Sequence, residues 1–112
     1  MSGQRIDAMI EMSVQAICDP AQVLETLPHR LAAQWPDAPA LELTVALASA
    51  ADAVEAVFDD RGPSGQRAQR VWRQAAMIGA DLHFLALSGA RASTAGDLLA
   101  FWRSEDSMKD TS

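Results

Sequence analysis

The chain has 112 residues, 49% of them hydrophobic and 21% charged, and this size and composition predict one globular domain with a single core. Its net charge of −6 opposes the phosphate neutralisation on which nucleic-acid affinity depends, so we expect no nucleic-acid partner. The longest uncharged apolar run, residues 43–51, is far shorter than the ~20 residues of a membrane span, so we expect no membrane partner and a cytoplasmic location.

Composition favours helices and divides the charge between two halves. Alanine, the best helix former, is the commonest residue with 22 copies, and arginine outnumbers lysine eight to one, which is typical of a GC-rich bacterial genome. Residues 1–60 carry ten acidic and two basic side chains, whereas residues 61–112 carry seven basic and five acidic ones. The chain therefore has an acidic first half and a mildly basic second half.

Apolar spacing predicts the first helix. Hydrophobic side chains recur every three or four residues from Ile6 to Ile17, which predicts a helix over residues 3–18. Cys18 follows Val14 by four positions, so we expect it on the buried face as a small hydrophobe rather than as a reactive thiol.

A second helix is predicted over residues 20–35. Asp19 and Pro20 have the residue types of an N-cap and a first helical position. The apolar stripe keeps its phase across Pro28, so we favour one helix kinked there. The alternative is a new short helix that begins at Pro28 and is capped by Thr26.

Two longer helices are predicted on either side of a loop. Residues 40–58 have the clearest amphipathic pattern, and residues 59–65 are rich in Asp, Gly and Pro, which is typical of a loop. Residues 66–88 follow as a helix. The side chains that we assign to its core stripe are Ala68, Val71, Trp72, Ala75, Ile78, Leu82, Leu85 and Ala86.

The last helix is predicted from a capping box. Thr94 and Asp97 have the spacing at which each side chain binds the other's backbone N–H, which predicts a helix over residues 95–103. Residues 104–112 are polar and lack periodicity, so we expect a flexible tail. The short connections predict that residues 1–103 form one domain, a compact all-α bundle of four to five antiparallel helices.

No set of residues indicates catalysis, a metal or a cofactor. Glycine signatures for phosphate or dinucleotide binding are absent from the sequence. His29 and His83 fall on different predicted helices, and Asp81 lies two residues from His83, a spacing that directs helical side chains apart. We therefore expect no metal and no cofactor, lean toward a non-enzymatic protein, and interpret His29 as a surface histidine.

The predicted helix over residues 66–88 carries most of the candidate site. His83 lies in line with Trp72 and Gly79 at the edge of the core stripe, and we interpret it as a boundary residue bonded to a neighbour. The alternative is a phosphoryl-accepting histidine, although the apolar residues after it differ from a phosphotransfer site. Gly79 and the adjacent alanines predict the close approach of another helix, and the alternative is a ligand pocket beside Trp72 and His83.

Basic residues gather near the start of the same helix, where cations oppose the helix dipole. The cluster consists of Arg61, Arg67, Arg70 and Arg73. We expect these side chains to face the acidic residues Asp52, Glu55, Asp59 and Asp60. The alternative is an anionic partner, for which Arg67 and Arg70 are the candidates.

These features favour a non-enzymatic helical interaction or regulatory module that binds a protein partner or a second copy of itself. Three tryptophans in a short chain support this hypothesis, because tryptophan is enriched at interface hot spots. Two alternatives stay open: a histidine phosphotransfer module that uses His83, and a small-ligand-binding protein. The residues to which we assign binding are Arg67, Arg70, Trp72, Gly79 and His83.

Overall fold

The computed structural model describes residues 2–58, 62–90 and 92–111, and within them the fold is all-α. Its elements are α1 (Ser2–Cys18), a 3-10 turn (Leu24–Thr26), α2 (Leu27–Gln34), α3 (Ala40–Val57), α4 (Pro63–Leu87) and α5 (Ala95–Thr111). The predicted all-α bundle of four to five helices is confirmed. None of the helices in the described ranges is long and apolar enough to span a bilayer.

Residues 20–35 do not form the single kinked helix that the apolar stripe predicts. Asp19 closes a turn instead: its carbonyl accepts a hydrogen bond from Gln22 N at 3.0 Å, and its Oδ1 accepts one from Ala21 N at 3.0 Å. Aspartate side chains that bind nearby amides compete with helix formation. Asp19 and Pro20 therefore form a turn rather than a helix start.

The alternative start beside Pro28 is the one that the chain adopts. α2 begins at Leu27, with Thr26 as its N-cap residue and Pro28 in its first turn. Proline is well tolerated there because the first amides of a helix have no acceptor within the helix. The apolar stripe nevertheless stays continuous, because the 3-10 turn keeps Leu24 on the same buried side as Leu27.

The other helices begin and end within three residues of the predicted bounds, except at the end of α5. That helix runs to Thr111, so residues 104–111, for which we expect a tail, are helical, and residue 112 lies outside the described ranges. The capping box is present, since Asp97 N donates to Thr94 Oγ1 at 3.1 Å and Thr94 N donates to Asp97 Oδ2 at 3.3 Å. The bond from the Thr94 amide lowers the pKa of the Asp97 carboxyl.

α3 is the central helix of the core and packs against α1, α4 and α5. α3 and α4 are antiparallel neighbours, whereas α1 and α3 run in the same general direction. Their N-terminal parts are joined by a bidentate pair in which Arg5 Nη2 and Nε donate to the Glu42 carboxylate at 2.8 and 2.9 Å. The bond to Glu42 raises the pKa of Arg5. The buried side of α3 consists of Ala40, Leu43, Ala46, Leu47, Ala50, Ala51 and Val54.

The α2–α3 and α4–α5 connections are joined to each other by backbone hydrogen bonds. Ala40 N donates to Ser93 O at 3.0 Å, and Ala95 N donates to Ala38 O at 2.7 Å. The two bonds form a short antiparallel bridge between Pro39 and Thr94. This bridge sets where α3 and α5 begin relative to each other.

Candidate interaction surface

Arg67 caps the C-terminal end of α1. Its guanidinium donates hydrogen bonds of 2.8–2.9 Å to the backbone carbonyls of Ala16, Ile17, Asp19 and Gln22. These carbonyls lie at a helix end and in the turn after it, where a cation is favoured by the helix dipole. Arg67 is therefore bound within the fold instead of facing the acidic residues of α3.

The other arginines of the cluster also differ from expectation. Arg70 forms an exposed ion pair with Glu25, which lies in the 3-10 turn rather than on α3. Arg73 is exposed and has no partner among the described residues. Asp52 is exposed on α3, and three further members of the predicted charge cluster, Asp59, Asp60 and Arg61, lie outside the described ranges.

Trp72 and Ala86 are exposed, so their assignment to the core stripe is wrong. The buried side of α4 is narrower than predicted and follows residues such as Val71, Ala75 and Ile78. Trp72 lies at its edge, where the indole Nε1 donates a hydrogen bond to Glu55 on α3. Glu55, which was expected to meet an arginine, thus contacts a tryptophan.

Gly79 has no close neighbour on its open side. A Cβ atom built at this position would meet no described atom within 4 Å outside its own helix, so no other helix of the chain approaches it as we expected. His83 is exposed and has no hydrogen-bond partner in the described part of the chain, so it is not the bonded boundary residue that we favoured. A phosphoryl-accepting histidine would also lack a group that orients its ring.

A continuous apolar surface occupies the uncovered side of α4. We define the α4 face as Ala76, Met77, Ala80, His83, Phe84 and Leu87. Its large side chains Met77, Phe84 and Leu87 are 66%, 57% and 75% exposed. Asp81 lies outside this face, because its Oδ2 accepts a hydrogen bond from Trp102 Nε1 at 2.9 Å. The helical wheel already places Met77, Phe84 and Leu87 off the core stripe, and this signal could have identified the face from the sequence.

A groove of about 540 Å³ borders the α4 face, with which it shares Met77, and lies between α2, α4 and α5. Trp102 forms one wall, with its ring 4.8 Å from that of His29, which is half-buried rather than a free surface residue. Arg70 lines this groove, whereas the other predicted site residues do not. The groove is lined by Glu25, Pro28, His29, Arg70, Arg73, Gln74, Met77, Ile78, Asp81, Trp102 and Glu105.

The described residues contain no group of three or more His, Cys, Asp or Glu side chains that could hold a metal ion. Cys18 is exposed at the last position of α1, so its predicted place on the buried face is wrong. The fold and its surface define the chain as an all-α helix bundle with an apolar face on α4. No family model, curated protein or solved structure matches it.

Proposed function

We propose that this chain is a non-enzymatic protein-interaction module whose binding surface is the α4 face. The observation that supports this proposal is the grouping of Met77, Phe84 and Leu87, each more than half exposed, on one side of one helix. Scattered exposed apolar residues are ordinary, but a contiguous patch of them marks an interaction site. Of the other exposed large apolar side chains, those such as Val23 and Val57 lie on other elements, and Trp72, which is on α4, is hydrogen-bonded to Glu55.

A protein fits the α4 face better than a nucleic acid or a lipid surface does. Both of those partners are attracted by clustered cations, whereas the chain carries a net charge of −6 and the α4 face has no Lys or Arg. Interfaces between proteins combine an apolar centre rich in Met and aromatic side chains with a polar rim that includes Arg. Met77 and Phe84 provide such a centre, with Arg73 beside it.

The proposal is tested with a photo-cross-linking residue in the cells from which the sequence comes. A benzophenone side chain at Ala80 is expected to give a discrete product that mass spectrometry identifies. The same group at Gln15, an exposed position on α1, is the control and should give none. The product should disappear when Leu87→Lys is added. If no product at Ala80 depends on Leu87, the α4 face is not a binding surface.

A second candidate function is the binding of a small aromatic zwitterion in the groove. Its volume of about 540 Å³ lies within the range of small-molecule sites, and Trp102 and His29 supply an aromatic wall. Arg73 and Glu105 are the lining charges without a partner among the described residues. A carboxylate beside Arg73 and an ammonium group beside Glu105 would complement both.

Phenylalanine is a suitable probe for the groove because its own fluorescence does not interfere with that of tryptophan. In a Trp35→Phe, Trp72→Phe background, Trp102 alone reports binding. We expect phenylalanine to change its emission in a saturable way. Phenethylamine and phenylpropionate, which each lack one charge, should bind about tenfold more weakly, the effect of losing about 1.4 kcal/mol. An emission spectrum that phenylalanine does not change would refute this function.

A further inference from the structure

The spacing and size of the side chains on the exposed side of α4 fit the same side of a second copy of the helix. The positions Gln69, Arg73, Ala76, Ala80, His83 and Leu87 follow one another at spacings of four, three, four, three and four, and all six are exposed. This spacing is the seam by which two helices pack along each other. Small side chains occupy the middle of the seam, a cation its N-terminal part, and a large apolar side chain its C-terminal end.

An antiparallel pair of α4 helices centred on Ala80 would bring small side chains together at its centre and large ones together at its side. Because the two helices run in opposite directions, Phe84 of one copy lies beside Met77 of the other, on the same side of the seam, and the two Ala80 residues meet at the centre. Small residues at the centre allow the helix axes to approach at the short end of the usual 8–10 Å. The Phe84 ring, whose centroid lies 6.4 Å from that of Phe101 in the same chain, would then have its open side covered by Met77, which is exposed in the single chain.

Charge also favours the antiparallel orientation. Arg73 is exposed and has no partner among the described residues. In the antiparallel register it lies beside Leu87 of the second copy, at the C-terminal end of a helix, where the helix dipole favours a cation even though the amides of residues 88–90 already bind three of the last carbonyls. A parallel pair would place Arg73 against Arg73, which is repulsive. The antiparallel pair makes the favourable contact twice and closes with twofold symmetry.

From these observations we infer that the partner of the α4 face is a second copy of this chain, packed antiparallel about Ala80. The inference rests on the proposed function, because it assigns an occupant to the same surface. It requires that the chain forms a dimer, that Leu87 lies near Arg73 of the second copy, and that the two Ala80 residues adjoin. Each requirement has its own measurement.

Sedimentation velocity tests the dimer and the contact between residues 73 and 87. At a chain concentration of tens of micromolar, the molar mass obtained by sedimentation should be twice the 12.0 kDa of one copy. Leu87→Lys places an ammonium group beside Arg73 and should weaken the dimer at least about tenfold. Adding Arg73→Glu to Leu87→Lys should restore it, because an ion pair then replaces the repulsion. Val23→Glu, at an exposed apolar side chain outside the α4 face, is the control and should have no effect.

Disulfide trapping tests the register. In a Cys18→Ser background, Ala80→Cys should form a dimer on mild oxidation. Gln69→Cys should not, because the two copies of residue 69 would be roughly 33 Å apart along an antiparallel pair, at 1.5 Å per residue over 22 residues. Efficient cross-linking through Gln69→Cys, or a dimer that Leu87→Lys leaves unchanged, would overturn the antiparallel arrangement.

The outcomes separate this inference from the proposed function. A monomeric chain whose Ala80 photo-cross-links to a different identified protein would overturn the second-copy inference and support the proposed function. A monomeric chain that gives no cross-link dependent on Leu87 would overturn both. A dimer that Leu87→Lys dissociates and that Ala80→Cys traps would support both.

Discussion

Replacement of Arg67 by alanine is expected to destabilise the fold by about 3 kcal/mol. The three N–H groups on Nε and Nη2 of the guanidinium bind four carbonyls at and beyond the end of α1, with one N–H shared between two of them; three of these contacts are partly buried and the one to Asp19 is exposed. A partly buried hydrogen bond contributes about 1 kcal/mol net, whereas water readily replaces the exposed one. The sum is a large fraction of the 5–15 kcal/mol that stabilises a typical domain.

Urea denaturation followed by circular dichroism measures this loss. With the m-value of a small domain, about 3 kcal/mol lowers the urea midpoint by roughly 1–3 M. Arg70→Ala is the matched control, because it removes an exposed ion pair on the same helix and should cost less than about 1 kcal/mol. Arg67→Lys keeps the charge but not the planar set of donors, so it should fall between alanine and the original residue.

Two results would contradict this reasoning. If Arg67→Ala costs no more than Arg70→Ala, water satisfies the carbonyls of α1 as well as the guanidinium does. If Arg67→Lys is as stable as the original chain, the positive charge at the helix end is sufficient and the four bonds add nothing.

Three further predictions concern other positions, and each is measured by urea denaturation in the Leu87→Lys background, so that self-association does not contribute. Gly79→Ala should stabilise the fold by about 0.5–1 kcal/mol, because the new Cβ enters open space in a helix interior. Gly96→Ala should cost about 1 kcal/mol or more, because its Cβ would lie 3.1 Å from Pro36 O. The Thr94 amide lowers the pKa of the Asp97 carboxyl, so this group stabilises the fold fully above about pH 4 and loses its effect as the pH falls through the lowered pKa. Asp97→Asn should therefore reduce the loss of stability in acid.

Each of these predictions has a contradicting outcome. A destabilised Gly79→Ala variant would mean that the helix is strained or covered at that point. A neutral Gly96→Ala variant would mean that the Pro36 backbone moves aside without cost. An Asp97→Asn variant whose stability falls in acid as steeply as that of the parent would mean that the Thr94 bond does not favour the charged carboxylate.

Local signals predicted the helices, but not how their ends are used. Apolar periodicity and the Thr94–Asp97 capping box are properties of neighbouring residues, and their predictions agree with the structure except over residues 20–26, where periodicity predicted a helix that does not form. Asp19 and Pro28 each lie at a possible helix start, and the choice between them depends on a turn that the Asp19 side chain forms with the next amides. The start signals at Asp19 and at Pro28 compete, and apolar periodicity alone does not decide at which of them the helix begins.

The residues of the candidate site also divide into those whose environment the local sequence predicts and those whose environment it does not. The partners of Arg67 lie 45–51 residues away along the chain, so no local pattern reveals them. The basic residues at the start of α4 also gave no indication that one of them binds backbone carbonyls. The exposure of Phe84 and Leu87, by contrast, follows from their angular position on the helix and was predictable. Chemically unusual residues such as Gly79 and His83 suggested a site, whereas the large exposed side chains of the α4 face are the ordinary apolar residues Met77, Phe84 and Leu87.

The bridge between the α2–α3 and α4–α5 connections links the local unfolding of the two helices that follow them. The first amide of a helix normally lacks a partner and exchanges its proton with solvent quickly. Here the first amides of α3 and α5, those of Ala40 and Ala95, each donate to a carbonyl of the opposite connection, that of Ser93 or that of Ala38. Their deuterium exchange should therefore be slow, and both protons should be released in the same opening event. α5, although last in the chain, then belongs to the same cooperative unit as the central helix and does not detach on its own.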